Sequence, residues 1–166
     1  MIPLAHRLAA DHDLARNELA ELVGAIVRDP ALWKPFVQFR TNERHYEQLW
    51  RDDHVDIWII SWVDGNDTGF HDHDTSSGAV AVAVGEVVEE QFMLSAAPRR
   101  IRHRAGAVFD FDAHHVHRMC QDSRAPAVTI HAYSPPLVRL GAYAVSADGA
   151  LRRESISYTE ELRPVA

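Results

Sequence analysis

The spacing of hydrophobic positions changes rhythm near residue 50. Before it, Leu14, Leu19, Leu22, Val23, Ile26 and Val27 recur at helical intervals between arginines and glutamates. That pattern predicts an amphipathic helix over about 11–28. Asp29-Pro30 ends it, and Pro30-Ala31-Leu32-Trp33 predicts a second, shorter helix with proline in its first turn. After residue 50 the texture is that of strands. Val55 to Trp62 is β-branched and aromatic, a buried strand followed by the turn cluster Gly65 to Gly69. Shorter strand-like runs follow at 79–84, 87–93, 107–111, 127–133 and 137–145, most of them separated by Gly, Pro, Asp or Ser. The expectation is one mainly β domain over 1–166, a helical cap (1–50) on a β-barrel (51–166), with no repeat or linker.

Composition narrows the function without naming it. At 166 residues, 46% hydrophobic and 25% charged, the chain suits a single globular domain. A formal net charge of -7 argues against a nucleic-acid surface, so the basic run Arg99 to Arg104 is read as a solvated turn or strand edge. No stretch approaches the ~20 apolar residues that cross a bilayer, and Met1 to Arg7 lacks the pattern of a signal peptide. A cytoplasmic address is expected. Cys120 is the single cysteine, which precludes an intramolecular disulfide. Histidine is the unusual residue: of 11, seven lie between His71 and His131. His6, His12, His45, His54 and His103 are read as surface residues.

His71 and His73 flank one residue in an extended segment, so both imidazoles project from one face. A metal could take both nitrogens; an exposed, hydrogen-bonding loop pair fits the same two residues. The wider spacing resembles the first cupin signature, with Gly65, His71, His73 and Gly85 in register and Gly78 where that signature has an acidic ligand. Gly106 and His117 fall in register with the second signature, Asp112 and His114 replacing its middle Pro and Gly. The resemblance implies a metal site of His71, His73 and His117, with coordination positions left open. Three neutral ligands leave a divalent ion fully dicationic, which favours an anionic donor such as thiolate. Zinc and manganese accept three imidazoles too.

From His71 to Pro136 the chain resembles the cysteine dioxygenase family, the thiol dioxygenases of the cupin superfamily. His71-Asp72-His73-Asp74 is similar to its metal motif, His117-Arg118 to its third-ligand pair, and Ala127-Val128-Thr129-Ile130-His131-Ala132-Tyr133-Ser134-Pro135-Pro136 to its (Ser/Thr)-x-His-x-Tyr-Ser-Pro-Pro stretch. The likeness extends upstream through Trp62. It implies a cupin (double-stranded β-helix) barrel holding iron(II), with a small thiol and dioxygen as substrates, cysteine to cysteine sulfinate as first choice. Another thiol such as 3-mercaptopropionate, or a non-catalytic metal- and ligand-binding cupin, are the alternatives. A monomer or small homo-oligomer is expected.

Thr129, His131 and Tyr133 alternate, so they share a strand face. By spacing alone they form either a hydrogen-bonded relay or a buried tyrosine satisfied by neighbours; the resemblance implies the relay. It also implies that Arg44 binds the substrate carboxylate, with Arg40, Arg51 and Arg139 as alternatives. Ile60, Trp62 and Met119 match positions that wall the family's pocket, or are plain core. Some members carry a cysteine that cross-links to the relay tyrosine. Here that position is Gly78, which resembles the bacterial type lacking it, and a regular strand turns Cys120 away from the metal. His114 and His115 are read as turn residues before the ligand strand, although His115 has the parity of His117.

Overall fold

The computed structural model describes residues 10–41, 43–94, 96–145 (the side chain of Val145 excepted) and 151–157, so His6 lies outside the described residues. Its strands form two antiparallel sheets. The first runs β1 (His45–Arg51), β2 (Asp56–Trp62), β9 (Ala127–Ser134), β4 (Ser77–Val84), β7 (Val108–Phe111). The second runs β11 (Leu151–Ser157), β10 (Arg139–Val145), β3 (His71–Asp72), β8 (His117–Cys120), β5 (Glu86–Gln91), β6 (Arg99–Arg104).

The strand β9 is buried at all eight positions because both of its faces are covered. Val128, Ile130 and Ala132 point to an outer core, together with Leu19, Val23 and Ile26 of α1 (Arg16–Val27). The alternate positions point between the sheets, where Tyr133 joins Ile60, Trp62, Val80, Val82, Phe111 and Met119. Central strands with two covered faces read as continuous apolar runs, the pattern seen at Val55 to Trp62. Leu19 is fully buried, so its loss to alanine costs about 2–5 kcal/mol.

The helix α1 ends one residue before its expected end but starts five residues later than expected, at Arg16. Glu18 closes its start by accepting the Ala15 N–H at 2.8 Å, and Pro30 prevents continuation past Asp29. It lies across the outer face of the first sheet rather than over a barrel end. The expected second helix is two short 3₁₀ turns, Pro30–Leu32 and Lys34–Phe36. Pro35, which has no N–H to donate, breaks any continuous ladder. Strand β1 begins at His45, inside the stretch expected as cap, and buries His45 to 6% exposure, so this histidine is not a surface residue. His103 is also largely buried, at 13%.

The basic run is the edge strand β6, with Arg100 and Arg102 paired to Glu90, Glu86 and Asp122. Strand β11 was not expected: its residues are mostly polar and alternate weakly. Gly85 shows why a signature glycine is needed, since φ is 70° and a Cβ there would lie 2.5 Å from the Pro126 carbonyl. No helix among the described residues is long and apolar enough to cross a membrane.

Candidate metal centre

Three imidazoles converge between the sheets. His71 on β3 stands directly across from His117 on β8, and His73 follows two residues on with the same parity. Their ring centroids lie 4.9–5.1 Å apart. One ligand atom from each falls within 4.8 Å of the others, and all three residues are buried. His71 Nδ1 donates to the Gly69 carbonyl at 3.0 Å, and His117 Nδ1 donates to Glu89 at 3.0 Å. In the neutral ring each of these bonds leaves Nε2 as the unprotonated, ligating nitrogen.

His73 is the test of fit. It is 1% exposed, and neither ring nitrogen has a hydrogen-bond partner. A buried polar group left so costs about 1–3 kcal/mol, and a divalent cation among the three rings would remove that deficit for the one nitrogen that ligates it. Burial above all, then His71 and His117, holds His73 well below the ordinary histidine range. Burial likewise takes His117 down to about 4, against the opposing pull of Glu89. Both rings are therefore neutral, the form that binds metal.

Two carboxylates anchor the ligand strands from behind. Glu89 on β5 accepts from His117, from His115 Nε2 at 2.9 Å and from His103 Nε2 at 3.1 Å. Burial alone would raise its carboxyl, but these bonds outweigh it and hold it far below the carboxylate range. His115 thus approaches the site through Glu89 and is more than a turn residue. Asp72, between the two histidines, faces the other way. It accepts from Arg153 Nε and Nη2 at 2.7 and 2.8 Å, and from the Tyr143 hydroxyl at 2.7 Å.

An open cavity leads to His71 and His117. Its polar groups are Arg44, Tyr46, Thr68, His131 and Tyr133, and its walls include Trp58, Ile60, Met119, Leu137 and Leu140. Of the residues expected here, Trp62 is not on the cavity surface. It is fully buried, beneath the Arg44 guanidinium at 5.7 Å from its ring centroid. Its Nε1 instead donates to Thr129 Oγ1 at 2.8 Å. Thr129 Oγ1 lies 2.8 Å from His131 Nε2, and His131 Nδ1 lies 3.2 Å from the Tyr133 hydroxyl. The three alternating residues are therefore in hydrogen-bonded series, with Tyr133 at the cavity end. Arg40, Arg51 and Arg139 lie off the cavity, paired with Glu43, Asp56 and Ser155.

Sequence reasoning missed Tyr46, Thr68, Leu137 and Leu140, together with both anchoring carboxylates. Tyr46 carried a faint signal, since it follows Arg44 by one strand period. Phe111 was missed as well: its ring stacks on His73 at 4.5 Å and covers Gly78.

A sequence profile for the family described as cysteine dioxygenase type I matches residues 2–146. Cysteine dioxygenase type 1 of Homo sapiens is 26% identical over 149 residues, covering 82% of this chain and 73% of that protein. The Rattus norvegicus protein of the same name gives the same identity and coverage. Among solved structures, a protein with a double-stranded β-helix domain from Klebsiella pneumoniae subsp. pneumoniae superposes with a TM-score of 0.54 at 15% identity, covering 61% of this chain and 80% of that one. A cupin superfamily protein from Desulfitobacterium hafniense gives 0.50 at 17% identity, covering 77% and 94%. These two establish the cupin fold.

Proposed function

The chain belongs to the cysteine dioxygenase type I family and is a dioxygenase, and on that premise we propose that it oxidises the sulfur of a small thiol carboxylate, with iron(II) as its metal. Cysteine is the first choice of substrate. The reaction balances without another reactant: thiol plus dioxygen gives sulfinic acid, sulfur losing the four electrons that dioxygen gains. Iron held by His71, His73 and His117 would supply open coordination positions for thiolate and dioxygen. The observation that carries the proposal is the shared cavity, where two of these imidazoles meet a cation and a hydrogen-bonded phenol.

The proton direction in the relay follows from satisfying every buried donor. Thr129 is fully buried, and Trp62 donates to its oxygen. Among the described residues, the threonine hydrogen has an acceptor only if it goes to His131 Nε2. His131 Nδ1 then carries the ring proton and donates to the Tyr133 oxygen. With its oxygen accepting from His131, Tyr133 can turn its own hydrogen toward substrate or oxygen at the cavity. Tyr133 is thus a donor whose orientation is set three residues back, at Trp62. Arg44 lines the same cavity and would take the substrate carboxylate in its planar fork.

One observation favours a second substrate. No Asp or Glu is among the described residues lining the cavity, so an ammonium finds no carboxylate there. Cysteine would have to place its amine on the metal, whereas 3-mercaptopropionate has no amine to place. The test is anaerobic loading with iron(II), then oxygen uptake and sulfinate detection across a panel of small thiols. Bound iron with no uptake on any thiol would leave a metal-binding module and defeat the proposal.

A further inference from the structure

We propose that Glu89 is a positioning residue for the metal centre: it fixes His117 through Nδ1 and sets a negative charge one hydrogen bond behind three neutral ligands. This rests on the reading that His71, His73 and His117 hold the metal. The carboxylate lies on the inward face of β5, two residues from the core residue Val87, and its Cα stands opposite Met119. That register puts the side chain diagonally behind His117. It is 2% exposed.

The surroundings of this acid are built for it. Oε1 accepts from His117 Nδ1 at 3.0 Å and from His115 Nε2 at 2.9 Å. Oε2 accepts from His103 Nε2 at 3.1 Å and from Gln91 Nε2 at 3.3 Å. The donors are themselves held, since the His103 ring stacks on Phe109 at 3.9 Å and the His115 ring on Phe111 at 5.7 Å. Packing alone gives no reason for a buried acid here, because an apolar or amide side chain carries a smaller desolvation cost. A carboxylate that accepts from Nδ1–H makes the opposite ring nitrogen a stronger donor. Glu89 therefore returns to the site part of the negative charge absent at Gly78. The centre should hold a divalent ion more tightly, and bound iron should favour its oxidised state more than three unsupported imidazoles would allow.

The full-length chain tests this without turnover. Iron(II) affinity is measured anaerobically against a competing chelator, and the reduction potential of bound iron is measured beside it. Glu89→Gln keeps the shape and an acceptor for His117 but removes the charge. Its affinity should fall by about 10- to 100-fold and its potential should become more positive. Parental affinity and potential in this variant would overturn the proposal. His73→Ala separates the premise: if it binds like the parent, the three-histidine site itself fails. If it loses iron while Glu89→Gln does not, only the role of Glu89 fails. Two iron equivalents in the parent with one lost in Glu89→Gln would also overturn it, because Glu89, His115 and His117 would then be a second cation site. Should Glu89→Gln not fold, the zinc(II)-loaded parent decides by proton NMR. The His117 Nδ1 proton, bonded to a carboxylate, should resonate downfield of the His71 Nδ1 proton, bonded to a carbonyl. Equal or reversed positions would overturn the assignment.

Discussion

The ring of Phe111 occupies the space that a side chain at Gly78 would need: a Cβ there would lie 2.4 Å from Phe111 Cε2 and 3.1 Å from Tyr133 Cδ1. The residue that replaces a potential cross-linking cysteine is thus matched by an aromatic ring that packs on His73 instead. Gly78→Cys should lower stability by about 1–3 kcal/mol through overpacking, and peptide mass mapping should find no link to Tyr133. Adding Phe111→Ala should restore the room, so the double variant should recover part of the lost melting temperature. A stable, cross-linked single variant would show that Phe111 yields easily.

Thr129 sets the direction of the relay, which separates two substitutions of similar size. Thr129→Ser keeps the hydroxyl and should retain most activity. Thr129→Val leaves the Trp62 N–H and His131 Nε2 buried without partners, which costs about 1–3 kcal/mol in stability for each. It should also lower kcat, because the proton on Tyr133 is no longer directed. Equal kcat in the two variants would place Thr129 outside the reaction.

How much of this was legible depended on strand length and on sequence distance. In β9, eight residues gave enough alternation to put Thr129, His131 and Tyr133 on one face. The single-residue spacing of His71 and His73 did the same despite a strand of only two residues. Asp72 was opaque because its partner Arg153 is 81 positions away. Glu89 sits beside Glu90, and two adjacent acids read as a solvated face; only its parity with Val87 pointed inward. Trp62 had the right position for a pocket wall, but no pattern distinguishes a wall from a prop one layer deeper.

Acid should destabilise the metal-free chain through His131. Burial, followed by His117, His71 and Arg44, pushes its pKa from 6.5 down to about 3. As pH falls below 6.5 the unfolded chain binds a proton that the folded chain refuses, so stability is greatest above that value and declines below it. The decline is about 1.4 kcal/mol per pH unit for this one group, down to about pH 3. His131→Gln should remove that increment from the slope measured by urea unfolding between pH 6 and 5. An unchanged slope would mean that His131 contributes no such linkage.

Arg44 should act on substrate binding more than on turnover. A charge-assisted bond to a carboxylate contributes about 1.5–3 kcal/mol, so Arg44→Ala should raise KM for a thiol carboxylate about 10- to 100-fold. Oxidation of a thiol lacking the carboxylate should change little. Arg44→Lys should recover only part of the loss, because a single ammonium cannot reproduce the two-pronged contact. Parental KM in Arg44→Ala would exclude it as the carboxylate partner.

Arg153 ties the last described strand to the metal motif, although it lies beyond the residues matched to the family. Its two bonds hold Asp72, whose neighbours on either side are His71 and His73. Gly141 makes the contact possible, since a Cβ there would lie 2.2 Å from Arg153 Nε and 2.5 Å from Asp72 Oδ2. The Arg153 side chain is 37% exposed, so solvent screens the pair and its loss should cost only about 1–2 kcal/mol. The consequence for the site should exceed that figure's suggestion, because a two-residue strand has few other restraints on its angle. Arg153→Ala should weaken metal binding while the cavity residues stay in place, and Gly141→Ala should do the same by displacing the guanidinium. Competition with a chelator measures both. If neither variant changes metal affinity, the β10–β11 hairpin serves stability alone.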